Sequence, residues 1–138
     1  MLAALSLALL VAAVVGREPT DFSAMPVIAV VRDGEQRPVW AIRLARTAHQ
    51  IAADSLLPQI APGDHVYQLW LLASDAGAAR PIGLLPRSER KVITVTPENA
   101  RLLAGEGELE VSLEPVGGSS AGGPSGPIIF RASLEGSG

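Results

Sequence analysis

Glu108 to Glu114 reads Glu-Leu-Glu-Val-Ser-Leu-Glu, an alternation of polar and apolar residues without a fault. A helix turns every 3.6 residues and would scatter this pattern around its axis, whereas a strand sorts it onto two faces. Leu109, Val111 and Leu113 then point one way, and Glu108, Glu110, Ser112 and Glu114 point the other. A strand with one packing face and one polar face predicts an antiparallel sheet with a solvated side.

The same period recurs upstream. Pro26 to Val31 and Val39 to Ala45 flank Asp33-Gly34, where a glycine able to take positive φ signals a β-hairpin. Trp40, Ile42 and Leu44 share the face expected to pack. Thr47 to Leu57 stays open between a helical stripe through Ala48, Ile51 and Ala52 and a short strand followed by a loop. Pro58 and Pro62-Gly63-Asp64 mark a turn. Val66 to Ala73 places Tyr67, Leu69 and Leu71 opposite Trp70 and Leu72, the pattern of a central strand buried on both sides. Ile82 to Leu85 and Lys91 to Val95 are further short strands. Thr96-Pro97-Glu98 opens a short helix, with Thr96 as N-cap and Pro97 at the first helical position, and Gly105 stops it. A Gly/Ser/Pro loop, Pro115 to Pro127, leads to a last strand from Ile128 to Ala132. Seven or eight short strands with one small helix predict an all-β antiparallel sandwich, or a partly closed barrel, over residues 25–134, and residues 135–138 read as a disordered tail.

Fourteen of the first 16 residues are apolar, with Ser6 and Gly16 the exceptions. As a helix this block spans roughly 24 Å, short of the roughly 30 Å hydrocarbon core of a bilayer. A signal peptide has an apolar region of this length, but nothing basic precedes Arg17. A transmembrane helix cut at its start explains both features, while a buried helix would be unusually apolar all round. Residues 17–24 then form a juxtamembrane linker.

Composition excludes several classes. With no cysteine there is no disulfide framework, thiolate chemistry or cysteine zinc site. The net charge of −3, with ten Arg and one Lys dispersed, argues against nucleic-acid binding. Gly118-Ser-Ser-Ala-Gly122 matches G-x-S-x-G, but a nucleophile elbow needs a helix after the serine and a histidine downstream, and both histidines lie upstream. His49 and His65 are 16 residues apart without ligand spacing, and Glu108, Glu110 and Glu114 read as the wet side of a strand. No catalytic, cofactor or metal site is expected.

Two segments carry a family resemblance. Tyr67-Gln-Leu-Trp-Leu-Leu72 followed by Pro81-Ile-Gly-Leu-Leu85 resembles the Y-x-L-W-L-I … P-x-x-x-G-x-L signature of the anti-sigma-K factor C-terminal domain, although Pro81 and Gly83 stand closer together here. Val111-Ser-Leu-Glu-Pro-Val-Gly-Gly118, with Ser120, Gly123-Pro124 and Gly126-Pro127, is similar to that family's V-S-x-E-P-x-G-G-S … G-P-x-G-P ending. The resemblance implies the extracytoplasmic regulatory domain of a single-pass, membrane-anchored anti-sigma factor controlled by a membrane-associated protease. The sigma factor would be held by an N-terminal domain missing from this chain, and residues 1–16 would be the anchor. The signature residues Tyr67, Leu69, Trp70, Gly83, Ser112, Glu114, Pro115, Gly117, Gly118, Gly126 and Pro127 are expected to be structural. Trp40 and Trp70 are expected to stack across the sandwich. The rival is a secreted or surface-attached β-sandwich binding module, released by signal-peptide cleavage near Gly16.

Overall fold

A computed structural model of the chain describes residues 19–74 and 77–135. The apolar block read as an anchor lies outside these residues; among those described, no helix is long and apolar enough to cross a membrane. Eight strands appear in chain order: β1 (Val27–Arg32), β2 (Pro38–Ala45), β3 (Gln50–Ser55), β4 (His65–Ala73), β5 (Arg80–Leu84), β6 (Arg90–Thr94), β7 (Gly107–Pro115) and β8 (Ile128–Ser133). Among the described residues one helix, α1 (Pro97–Leu103), separates β6 from β7. The strands form two four-stranded sheets, β1-β2-β3-β6 and β5-β4-β7-β8, and every pairing is antiparallel.

The predicted apolar faces meet between the sheets. Ile42, Leu44 and Ile51 from the first sheet pack with Leu69, Leu71, Leu109 and Val111 from the second in one buried cluster. Trp40 stands at its aromatic centre, 5.4 Å from the Tyr67 ring and 5.8 Å from the Phe130 ring, both edge-on. Its indole N–H donates to the Pro86 carbonyl at 2.9 Å, so burying the ring leaves no polar group unpaired. The expected stack of Trp40 on Trp70 does not form. Trp70 and Leu72 make the second face of β4 largely apolar despite Gln68, so the sequence places large apolar side chains on both faces. Tyr67, Leu69 and Leu71 turn inward, and Trp70 faces away from the core.

The β1–β2 hairpin forms as expected, but the left-handed residue in its turn is Gln36, at φ 63°, rather than Gly34. Asp33 makes this tolerable, because its carboxylate accepts from the amides of Glu35 and Arg37 and fixes the turn from within. Thr47 to Leu57 resolves as a turn followed by β3. The helix begins as the sequence dictates, with the Thr96 hydroxyl accepting from the Asn99 amide at 3.1 Å.

The two sheets close on each other at one edge, where the Glu135 amide donates to the Ile28 carbonyl at 2.7 Å. At the other edge Ile93 fills the space over Gly83. The chain enters β1 at the end of the sandwich that also carries the β2–β3 turn and α1. The hairpin turn and the segment 116–127 lie at the far end, where β7 finishes beside the start of β4. His49 sits at the entry end and His65 at the far end, so the two imidazoles do not share a site.

Candidate functional site

Period two correctly pairs Glu110, Ser112 and Glu114 on one face of β7, but that face is not solvated. Glu110, Ser112 and Glu114 are all buried, the last two completely. The reason is the Gly/Ser/Pro segment after β7, which folds back over the outer face of the β5-β4-β7-β8 sheet. Gly117 and Gly118 turn the chain at φ 91° and 90°, values that strain any residue with a side chain. The Ser119 amide then donates to Gln68 Oε1 at 2.8 Å. Further on, Ser125 and Gly126 reach Glu114. Its Oε1 accepts from the Ser125 amide at 3.0 Å and the Gly126 amide at 3.2 Å, and its Oε2 accepts from the Ser125 hydroxyl.

Beneath this clasp the Trp70 indole N–H donates to Ser112 Oγ at 2.8 Å, and the Ser112 hydroxyl donates to Glu114 Oε1 at 2.7 Å. A relay therefore runs from the central strand β4 through β7 into the covering loop. Trp70, Ser112, Glu114 and Gly126, four of the family-signature positions, form it, and Gly118 adjoins it over Gln68. Gly126 is there for space: a Cβ would lie 1.8 Å from the Leu113 carbonyl oxygen. Pro127 continues the same return, with its carbonyl accepting from the Leu113 amide at 3.0 Å. Tyr67 and Leu69 instead serve the core, while Pro115 lies opposite His65 and Gly83 under Ile93.

Burial pushes the Glu114 carboxyl pKa up, but the Ser125 and Ser112 hydroxyls and the Gly126 and Ser125 amides outweigh it and hold the pKa below its ordinary value of 4.5. No cation takes part in these bonds; the buried charge rests on neutral donors alone. Ser112 has no access to solvent and its hydrogen-bond partners are indole and carboxylate, so the cluster is a clasp rather than a nucleophile and base. The G-x-S-x-G match falls within the covering segment, and β8 rather than a helix follows it. Trp70→Phe, which keeps the ring bulk and deletes the N–H, is expected to cost about 1–2 kcal/mol; Trp70→Ala is expected to cost about 3–5 kcal/mol. Unchanged thermal midpoints for both would remove Trp70 from the relay.

On the opposite sheet, part of the stretch read as a linker is folded onto the domain. Phe22 is 2% exposed and packs against Ala45 and Ala52 on the outer face of β2 and β3. The Thr20 hydroxyl donates to Gln50 Oε1 at 2.7 Å, and the Met25 amide closes a turn on the Phe22 carbonyl. The Arg90 guanidinium lies 5.7 Å from the Phe22 ring centroid while bonding Asp54 through two nitrogens. Arg43 contacts Asp54 at 3.2 Å and also donates to the Met25 carbonyl at 2.9 Å. Arg90 thus holds the Asp54 pKa down from its ordinary 3.8, against burial, with Arg43 adding to the effect. Sequence reasoning missed Phe22, Asp54, Arg90 and Gln68. The only signal for any of them is that Phe22 is a lone large apolar residue in a polar stretch.

Both carboxyls have depressed folded-state pKa values. Each contributes its full stabilisation above its unfolded value, 4.5 for Glu114 and 3.8 for Asp54, and loses it as pH falls through the lower folded value. The thermal midpoint is expected to be insensitive to these groups from pH 8 to about pH 5 and to drop below about pH 4. Melting curves of wild type and Glu114→Gln across that range check this, since the substitution should reduce the acid-dependent fall.

The family model described as anti-sigma-K factor rskA, C-terminal, matches residues 1–128. Neither a curated protein nor a solved structure matches the chain. The matched span covers all of the signature relay and the docked segment. Its family is a regulatory one, in keeping with a site built to hold a loop in place. The chain belongs to the family of anti-sigma-K factor C-terminal domains.

Proposed function

We propose that this chain is the extracytoplasmic regulatory domain of a membrane-anchored anti-sigma factor. In this reading residues 1–16 are the anchor and a sigma-binding domain lies outside this chain. The sandwich governs whether a membrane-associated protease reaches the backbone between the anchor and the sandwich, residues 17–24. The observation that carries the reading is the docking of Phe22 and Thr20 on β2 and β3. A protease needs its substrate extended and free of tertiary contacts, and a segment with a buried phenylalanine offers neither condition until it opens. Release is then a population effect: a signal that loosens the sandwich or the docked segment raises the open fraction, and cleavage follows that fraction.

Limited proteolysis of the membrane-inserted protein tests the reading. Cleavage within residues 17–24 is expected to rise in step with unfolding of the sandwich as denaturant is added. Cleavage there at one constant rate, whether the domain is folded or unfolded, overturns the control mechanism.

A further inference from the structure

The entry end of the sandwich holds two adjoining depressions. A groove of about 560 Å³ opens beside the start of β1, with Val27, Ile28 and Leu44 among its apolar walls. A second pocket, of about 500 Å³, lies between the β2–β3 turn and α1 and is lined by Arg46, His49 and Arg101. Arg46 and Thr47 line both, so an apolar trough runs into a cationic one. Arg37, Arg43, Arg80, Arg90 and Arg131 contact carboxylates, whereas Arg46 and Arg101, like Arg32 and Arg87, form no ion pair among the described residues; only Arg46 and Arg101 share a pocket. Glu135 is the carboxylate on the apolar groove, and it does not line the cationic pocket.

Two unpaired guanidiniums and an imidazole around one pocket, in a chain of net charge −3, make a local site for an anion. The adjoining trough adds a second requirement, because a free phosphate would use the cations and leave the apolar walls wet. A molecule satisfying both has a phosphate group joined to hydrocarbon. Position supplies the source: Thr20 is bonded to Gln50, next to His49, and four residues of extended chain from Gly16 span at most about 15 Å. We infer that this composite trough binds an anionic phospholipid of the membrane surface, with its phosphate against Arg46 and Arg101 and acyl carbons along Val27 and Leu44. The inference rests on residues 1–16 being a membrane anchor. Lipid engagement would hold the entry end against the bilayer and keep the docked segment between two surfaces.

The test uses the full 138-residue chain in nanodiscs of phosphatidylglycerol or of phosphatidylcholine, read by hydrogen exchange at the His49 and Ala100 amides. With lipid about tenfold above its dissociation constant, exchange is expected to be about tenfold slower in phosphatidylglycerol. Arg46→Gln with Arg101→Gln should abolish the difference, while Arg87→Gln, at the far end, should retain it. Equal exchange in the two lipids, equal loss in Arg87→Gln, or the same protection from inorganic phosphate in phosphatidylcholine discs overturns the lipid site. A chain that fails to co-elute with the discs overturns the anchor and the lipid site together. Co-elution with equal exchange overturns the lipid site alone.

Discussion

Phe22→Ala is expected to speed cleavage between residues 17 and 24 by about 100-fold while leaving the sandwich folded. Deleting a buried phenyl ring costs about 3 kcal/mol or more, and 1.4 kcal/mol is a factor of ten in an equilibrium. Phe22 belongs to a small cluster with Ala45 and Ala52, separate from the core between the sheets. The loss therefore falls on local opening of the segment rather than on global stability. Proteolysis in the regime of fast reclosing reports the open population directly, so the cleavage rate carries the full factor. Phe22→Leu should recover most of the protection, since it restores apolar volume without the ring face that Arg90 covers. The measurement is the rate of appearance of the cut product, set against the thermal midpoint of the same variant. An unchanged rate in Phe22→Ala would show that the docked segment does not limit access.

Glu114→Ala is expected to cost about 3–5 kcal/mol, as much as Trp70→Ala, from a residue that the alternation of β7 assigns to solvent. The substitution removes the acceptor for Ser112 Oγ, Ser125 Oγ and the amides of Ser125 and Gly126. Donors left buried and unpaired cost about 1–3 kcal/mol each, and release of the covering loop recovers part of that by hydrating them. Glu114→Gln keeps one carbonyl acceptor but loses the charge, and about half the effect is expected. Denaturant unfolding distinguishes the two outcomes of interest. If the loop is released, the m-value should fall as well as the midpoint, because the native state already exposes the outer face of β4 and β7. A loss below about 1 kcal/mol in Glu114→Ala would mean that the loop holds without its clasp.

Strand positions were legible because period two survives any tertiary context. β7, β4 and the β1–β2 hairpin all sit where alternation puts them, and Thr96-Pro97 starts the helix as its capping chemistry requires. Alternation tells which residues share a face, but not what covers that face. The glutamates of β7 and the apolar outer residues of β4 look unrelated in one dimension. They become partners only when the segment 116–127 folds over both, joining Trp70 to Glu114 through Ser112. The family resemblance pointed at these same positions without giving their chemistry. The entry segment reads as a linker in one dimension because seven of the eight residues 17–24 are polar, proline or alanine, and one aromatic is too little pattern to define an element. Asp54 and Arg90 lie 36 positions apart in the chain, and only the β3–β6 pairing brings them together.

The docked segment also fixes the order in which the domain bears mechanical load. Tension applied to the chain ahead of Thr20 meets its hydrogen bond to Gln50 first and the Phe22 contact next. After both have yielded, the Arg43 bond to the Met25 carbonyl is the next contact before β1 and its ladder to β2. These contacts are loaded one after another along the chain, so together they act as a fuse ahead of the sandwich. A pull on the chain ahead of Thr20 frees a stretch of backbone before the sandwich, with its clasp and core, is loaded.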